Sequence, residues 1–98
     1  MKLSIPEREN LALALARARE RAGVSQRCVA REARVSPVWV GYVENCGGWP
    51  NAALLSTYAR LCQMDANALL LSWGYVPDSI REILRRNPEL CARIMDAA

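Results

Sequence analysis

Residues 25–45, "SQRCVAREARVSPVWVGYVEN", constrain this chain more than any other stretch. Ser25 and Ser36 each precede a short run, and serine is a strong helix N-cap because its hydroxyl accepts from an N–H that the helix leaves unpartnered. Pro37 directly after Ser36 suits a helix start, where the missing N–H would have had no partner anyway. Val29, Ala30 and Ala33 make the inner face of the first run, and Val40 and Val43 that of the second. Only "RVS" at 34–36 joins them, so the spacing predicts two short helices linked by a tight turn.

The remaining signals are also helical. "PERENLALALARARERAG" (6–23) is rich in strong helix formers and ends in glycine, with Leu11, Leu15, Ala18 and Ala22 in one apolar stripe. The loop "CGGWPN" (46–51) precedes a fourth helix over 51–64, with Leu55, Tyr58, Ala59 and Cys62 inward. Asp65 is a fair cap for a fifth helix over 66–73, which stops at Gly74. Asp78 is expected to cap "SIREILRR", and Asn87 with Pro88 to restart the chain. Nothing alternates as a strand does. The expectation is an all-α chain, five core helices plus a C-terminal helical pair, divided as 1–74 and 75–98.

Composition narrows the function classes. Hydrophobic residues are 52% and aromatics 6% without phenylalanine, so Leu, Val, Ile and Ala must supply the core. "MKLSIPEREN" lacks the apolar segment of a signal peptide, and a cytoplasmic location is expected. Cys28, Cys46, Cys62 and Cys91 form no C-x-x-C and histidine is absent, which argues against a metal site and for free, buried thiols. No residue set looks catalytic and no cofactor is implied. The charge is asymmetric: residues 1–35 hold Lys2 and seven arginines against four glutamates, whereas residues 36–98 hold five arginines against six acids. A positive N-terminal third suits a polyanionic partner.

Arg19, Val24, Ser25, Gln26, Val29, Ala30, Ala33, Val35, Ser36, Val40, Val43, Glu44 and Pro50 fall in one ungapped register that resembles the Cro/lambda-repressor type of DNA-binding domain, the XRE family. The resemblance covers about residues 8–65 and extends loosely to Gly74. It implies a five-helix lambda-repressor-like domain that binds double-stranded DNA. It also implies an Arg19–Glu44 ion pair tying the first helix to the third. Gln26 is then expected at a DNA phosphate, at a helix N-terminus that itself favours anions.

By the same register the third helix enters the major groove, with Pro37, Val38, Gly41 and Tyr42 toward base edges. Thymine presents a C5-methyl group there, so Val38 and Pro37 would favour it. Trp39 and Asn45 are expected near phosphates, and Ser36 at the helix start. The bidentate side chain that usually reads a base is missing. Arg27 and Arg34 are the nearest candidates. The sequence departs from the family twice: Arg34 stands where the turn usually has glycine, and the loop after the third helix lacks its usual lysine or arginine. Gly47 and Gly48 amides, Trp49 and Asn51 would have to replace them.

Beyond Gly74 the chain carries more apolar surface than two short helices need. A homodimer interface through Trp73, Tyr75, Ile83, Leu84 and Leu90 is expected, because proteins of this type bind two half-sites about one DNA turn apart. The leading reading is a transcriptional repressor on a palindromic operator. The alternative is an antitoxin-like protein–protein module whose apolar third helix binds a partner chain.

Overall fold

A computed structural model describes residues 3–98; Lys2, counted above in the N-terminal charge, lies outside them. Among the described residues there are seven helices and no strand: α1 (Ile5–Arg21), α2 (Gln26–Ala33), α3 (Pro37–Asn45), α4 (Ala52–Leu61), α5 (Ala66–Ser72), α6 (Asp78–Arg86) and α7 (Leu90–Asp96).

Each of the first five helices starts on a side-chain cap. Ser4, Ser25, Ser36, Asn51 and Asp65 accept from the backbone N–H three residues on, at 2.8–3.2 Å. Four helix ends close in the same way, with one left-handed residue followed by a long backbone bond: Val24 to Arg19, Val35 to Ala30, Met64 to Ala59 and Tyr75 to Leu70. Glycine fills two of the left-handed positions, Gly23 and Gly74. Arg34 (φ 59°) and Gln63 (φ 55°) fill the other two, where a side chain costs about 1–2 kcal/mol. The turn at Arg34 is therefore not remodelled around its missing glycine; it keeps the left-handed geometry.

The core is one cluster built from Leu15, Val29, Ala30, Val40, Val43, Leu54, Leu55, Tyr58 and Trp73. Helix α2 packs on α3 and α4, α1 packs on α3 and α4, and α5 packs on α4. Helices α6 and α7 bury no residue completely. The radius of gyration is 14.9 Å, against about 12.6 Å for a compact chain of this length. The long dimension is 43 Å against 26 and 21 Å.

Several expectations need correction. Trp73 is 1% exposed and lies in the core, so it is not available to a second copy. Asp78 is the first residue of α6 rather than its cap, which is Pro77 with no side-chain bond. Helix α7 starts at Leu90, two residues after Pro88. Ala22 ends the α1 stripe exposed, as the C-cap. The thiols are free but not buried: Cys46 and Cys91 are exposed, and Cys28 and Cys62 are half-buried. Burial pushes the Cys62 thiol above its ordinary range, keeping it protonated at neutral pH. Among the described residues no helix is long and apolar enough to cross a membrane. Among the described residues no group of acidic or thiol side chains is arranged to hold a metal.

Candidate nucleic-acid interface

The inner side of α3 is fixed by one buried carboxylate. Glu44 accepts from Arg19 Nε at 2.8 Å, from Arg19 Nη2 at 2.9 Å and from Gln26 Nε2 at 3.0 Å. It also accepts from the Tyr58 hydroxyl. Arg19 Nη1 further donates to the Val24 carbonyl at 3.0 Å. A single side chain thus ties α1, α2, α3 and α4 together. Burial alone would raise the Glu44 pKa, but the bonds from Arg19, Tyr58 and Gln26 outweigh it and hold the carboxyl below its usual range. The bond to Glu44 raises the Arg19 pKa in turn. Burial, then the hydrogen bond to Glu44 and its charge, pushes the Tyr58 hydroxyl far above its ordinary value.

Arg19 and Glu44 therefore meet as the resemblance implied. Gln26 serves the same cluster: its amide donates to Glu44, and its oxygen lies 3.5 Å from where a Cβ on Gly41 would stand. Tyr58 completes the set and was read from sequence only as an inward residue. A tyrosine on a buried helix face needs a partner for its hydroxyl, and that was the available signal.

The outer side of α3 is bare. Pro37, Val38, Tyr42 and Asn45 are exposed and Gly41 half-exposed, all on one face. Val38 is 81% exposed and Tyr42 50%. The few polar groups nearby are mostly committed. Ser36 Oγ accepts the Trp39 N–H at 3.1 Å, and Asn45 Nδ2 donates back to the Gly41 carbonyl at 3.1 Å. Trp39 is half-buried and stacks on Tyr42, with ring centroids 5.8 Å apart and planes 17° apart.

The charge around this face comes from other elements. Arg27 is exposed beside Gln26 at the start of α2, and Arg34 is exposed in the turn that leads into α3. Among the described residues neither lies within salt-bridge distance of a carboxylate, nor do the exposed Arg17 and Arg21.

The loop after α3 is built differently from the sequence expectation. Trp49 packs edge-on against Trp73 at 5.4 Å and donates its indole N–H to the Tyr75 hydroxyl at 3.2 Å. Tyr75 in turn donates to the Pro50 carbonyl at 2.8 Å. Trp49 is thus an anchor for the loop, and Tyr75 belongs to that anchor. Asn51 spends its side-chain oxygen capping α4. Arg8, which sequence reading left out, lays its guanidinium beside Gly47: a Cβ there would meet Nη2 at 3.4 Å. No local pattern marks that contact, because it joins α1 to a loop far along the chain.

A family model described as a helix-turn-helix domain matches residues 10–71. No curated protein and no solved structure matches the chain.

Proposed function

The chain belongs to the helix-turn-helix domain family, and from that premise we propose that it is a sequence-specific DNA-binding transcriptional regulator. In this reading α3 lies in the major groove, and Arg27 and Arg34 meet phosphates on either side. The protein acts as a repressor, binding a palindromic operator as a homodimer. The observation that carries the reading is the two-sidedness of α3. Its inner face is locked by the Glu44 cluster, while its outer face projects Val38 and Tyr42 into solvent beside Arg27 and Arg34, which pair with no carboxylate among the described residues. A groove-reading helix needs both properties: rigidity behind and freedom in front.

Arg34 adds support. It holds a left-handed position that glycine would take without strain. A positive charge at the entrance to α3 is a functional reason to retain it. The outer face also suits the antitoxin-like alternative, since an apolar ridge can bind protein. Salt separates the two.

The test is selection of bound sites from random duplexes, followed by affinity measured against salt. A DNA reader enriches a defined site and weakens with a log–log slope of about −0.9 for each phosphate contacted. Arg27→Ala and Arg34→Ala should each make that slope shallower by roughly 1. Unselective enrichment, or affinity indifferent to salt, would favour the partner-binding alternative.

A further inference from the structure

We propose that the exposed face of α3 carries a methyl-reading notch that recognises the C5-methyl group of a pyrimidine, from thymine or from 5-methylcytosine, in place of a hydrogen-bonded base contact. The inference rests on the DNA-binding reading above and assigns the chemistry of that same face.

The notch is a shallow depression of about 280 Å³ lined by Ser36, Val38, Trp39 and Tyr42. Pro37 is not part of it. Val38 and Tyr42 stand one turn apart on the same face, so their side chains form two sides of it. The Trp39 ring backs Tyr42 in a near-parallel stack. The floor beneath the stack is Gly48. A Cβ there would stand 2.5 Å from Tyr42 Cδ1 and 3.2 Å from Trp39 Cη2 and Cζ3, so only glycine leaves the rings where they are. The Gly48 N–H also bonds the Tyr42 carbonyl at 3.2 Å, fixing the loop under the rings. The aromatic wall is therefore held from below.

The polar groups point the same way by being few and partly engaged. Ser36 Oγ caps its own helix, and the Asn45 amide is bonded to Gly41. The donors left on the notch are the Tyr42 and Ser36 hydroxyls and the Trp39 indole N–H, each at the edge of a surface made mostly by Val38 and two aromatic rings. A wall made mostly of Val38 and two stacked rings discriminates chiefly through apolar contact. In the major groove the apolar feature of a base pair is the pyrimidine C5-methyl. Cytosine methylated at C5 presents the same group at the same ring position, so the notch should treat it as it treats thymine.

The experiment uses the full chain and the site obtained by selection. Each thymine is replaced in turn by deoxyuridine, which removes the methyl and keeps the pairing. At the position that responds, cytosine and 5-methylcytosine are then compared. Burying one methyl is worth about fourfold in affinity, so one thymine per half-site should weaken binding by about that factor when demethylated. 5-Methylcytosine should exceed cytosine at that position by a similar factor. Val38→Ala, at a position 81% exposed and outside the core, should collapse both ratios toward one, whereas Tyr42→Phe should preserve them. A selective, salt-dependent binder indifferent to every demethylation would overturn the notch and leave the DNA-binding reading standing. So would tighter binding to the single strand than to the duplex. Loss of all site selection would take both readings down together.

Discussion

Helix α2 runs QRCVAREA and helix α6 runs DSIREILRR, two short amphipathic segments rich in arginine. The Ser25 hydroxyl caps α2, Val29 and Ala30 bury completely in the core, and Arg27 stands clear of any carboxylate. Helix α6 has no side-chain cap and no fully buried residue. Its arginines are occupied locally, Arg85 and Arg86 by Glu82 and Arg81 by Asp78. Similar composition therefore serves opposite ends. Where a helix is held by its neighbours, its charges can be left free for a partner. Where it is held by little else, its charges are spent on itself and its apolar face is left open.

The largest expected effect lies in the contrast between Glu44 and Glu82, each of which accepts from arginine. Glu44 is buried among four donor groups, and removing it strands the Arg19 guanidinium. Arg19→Ala strands the carboxylate instead. Either change should cost about 3–5 kcal/mol by urea unfolding. Glu82→Ala, in an exposed pair that water screens, should leave the midpoint where it was. Equal effects at the two sites would erase the distinction between the regions.

Acid sharpens the same contrast. The folded pKa of Glu44 lies below its ordinary value of 4.5. Its contribution is therefore complete above that value and is lost as the pH falls through the folded pKa. Unfolding titrations between neutral pH and about pH 3 should show stability declining on the acid side, with the decline flattened in Glu44→Gln. Tyr58 has the opposite sign: its pKa is raised from 10.0, so its contribution is intact below that value and lost as the pH climbs beyond it. Tyr58→Phe should blunt the alkaline limb.

Caps come next in size. Ser25→Ala removes the acceptor for the Cys28 N–H and should cost about 1 kcal/mol. Asp78→Ala removes no cap, only an exposed pair with Arg81, and should move the unfolding midpoint less than Ser25→Ala does.

Much of this was legible because local chemistry wrote it. Ser25 and Ser36 mark their helices, and Val29 of α2 with Val40 and Val43 of α3 fall on the faces that bury. The Arg19–Glu44 pair was reachable only through a resemblance, since the partners lie 25 residues apart. What stayed hidden depends on neighbours distant in sequence. Trp73 looked like surface because it ends an apolar run with no visible cover; α4 and the Trp49 loop provide the cover. Trp49 looked like a substitute for a missing basic side chain, and the Tyr75 hydroxyl claims it instead. Asp78 carried a good capping letter, yet the chain enters α6 one residue earlier, through Pro77. The left-handed Gln63 had no glycine to announce it.

The smallest expected effect on stability concerns the open face of the C-terminal pair. Ile83 is 49% exposed, with Ile80, Leu84 and Leu90 half-buried beside it. Of the residues first assigned to a dimer contact, Ile83, Leu84 and Leu90 remain open to that role, because Trp73 is in the core and Tyr75 anchors the loop. Ile83→Glu places a charge on a surface that the monomer barely uses. In dilute solution it should change the unfolding free energy by less than about 0.5 kcal/mol. If this face joins two copies, the charge would have to be desolvated in the contact, and sedimentation equilibrium should report a variant that stays monomeric at concentrations where the parent associates. The same variant should then lose affinity for a two-half-site operator while holding a single half-site as well as the parent does. A variant that unfolds early would mean that the face is packed within the monomer, and the opposition between α2 and α6 would dissolve.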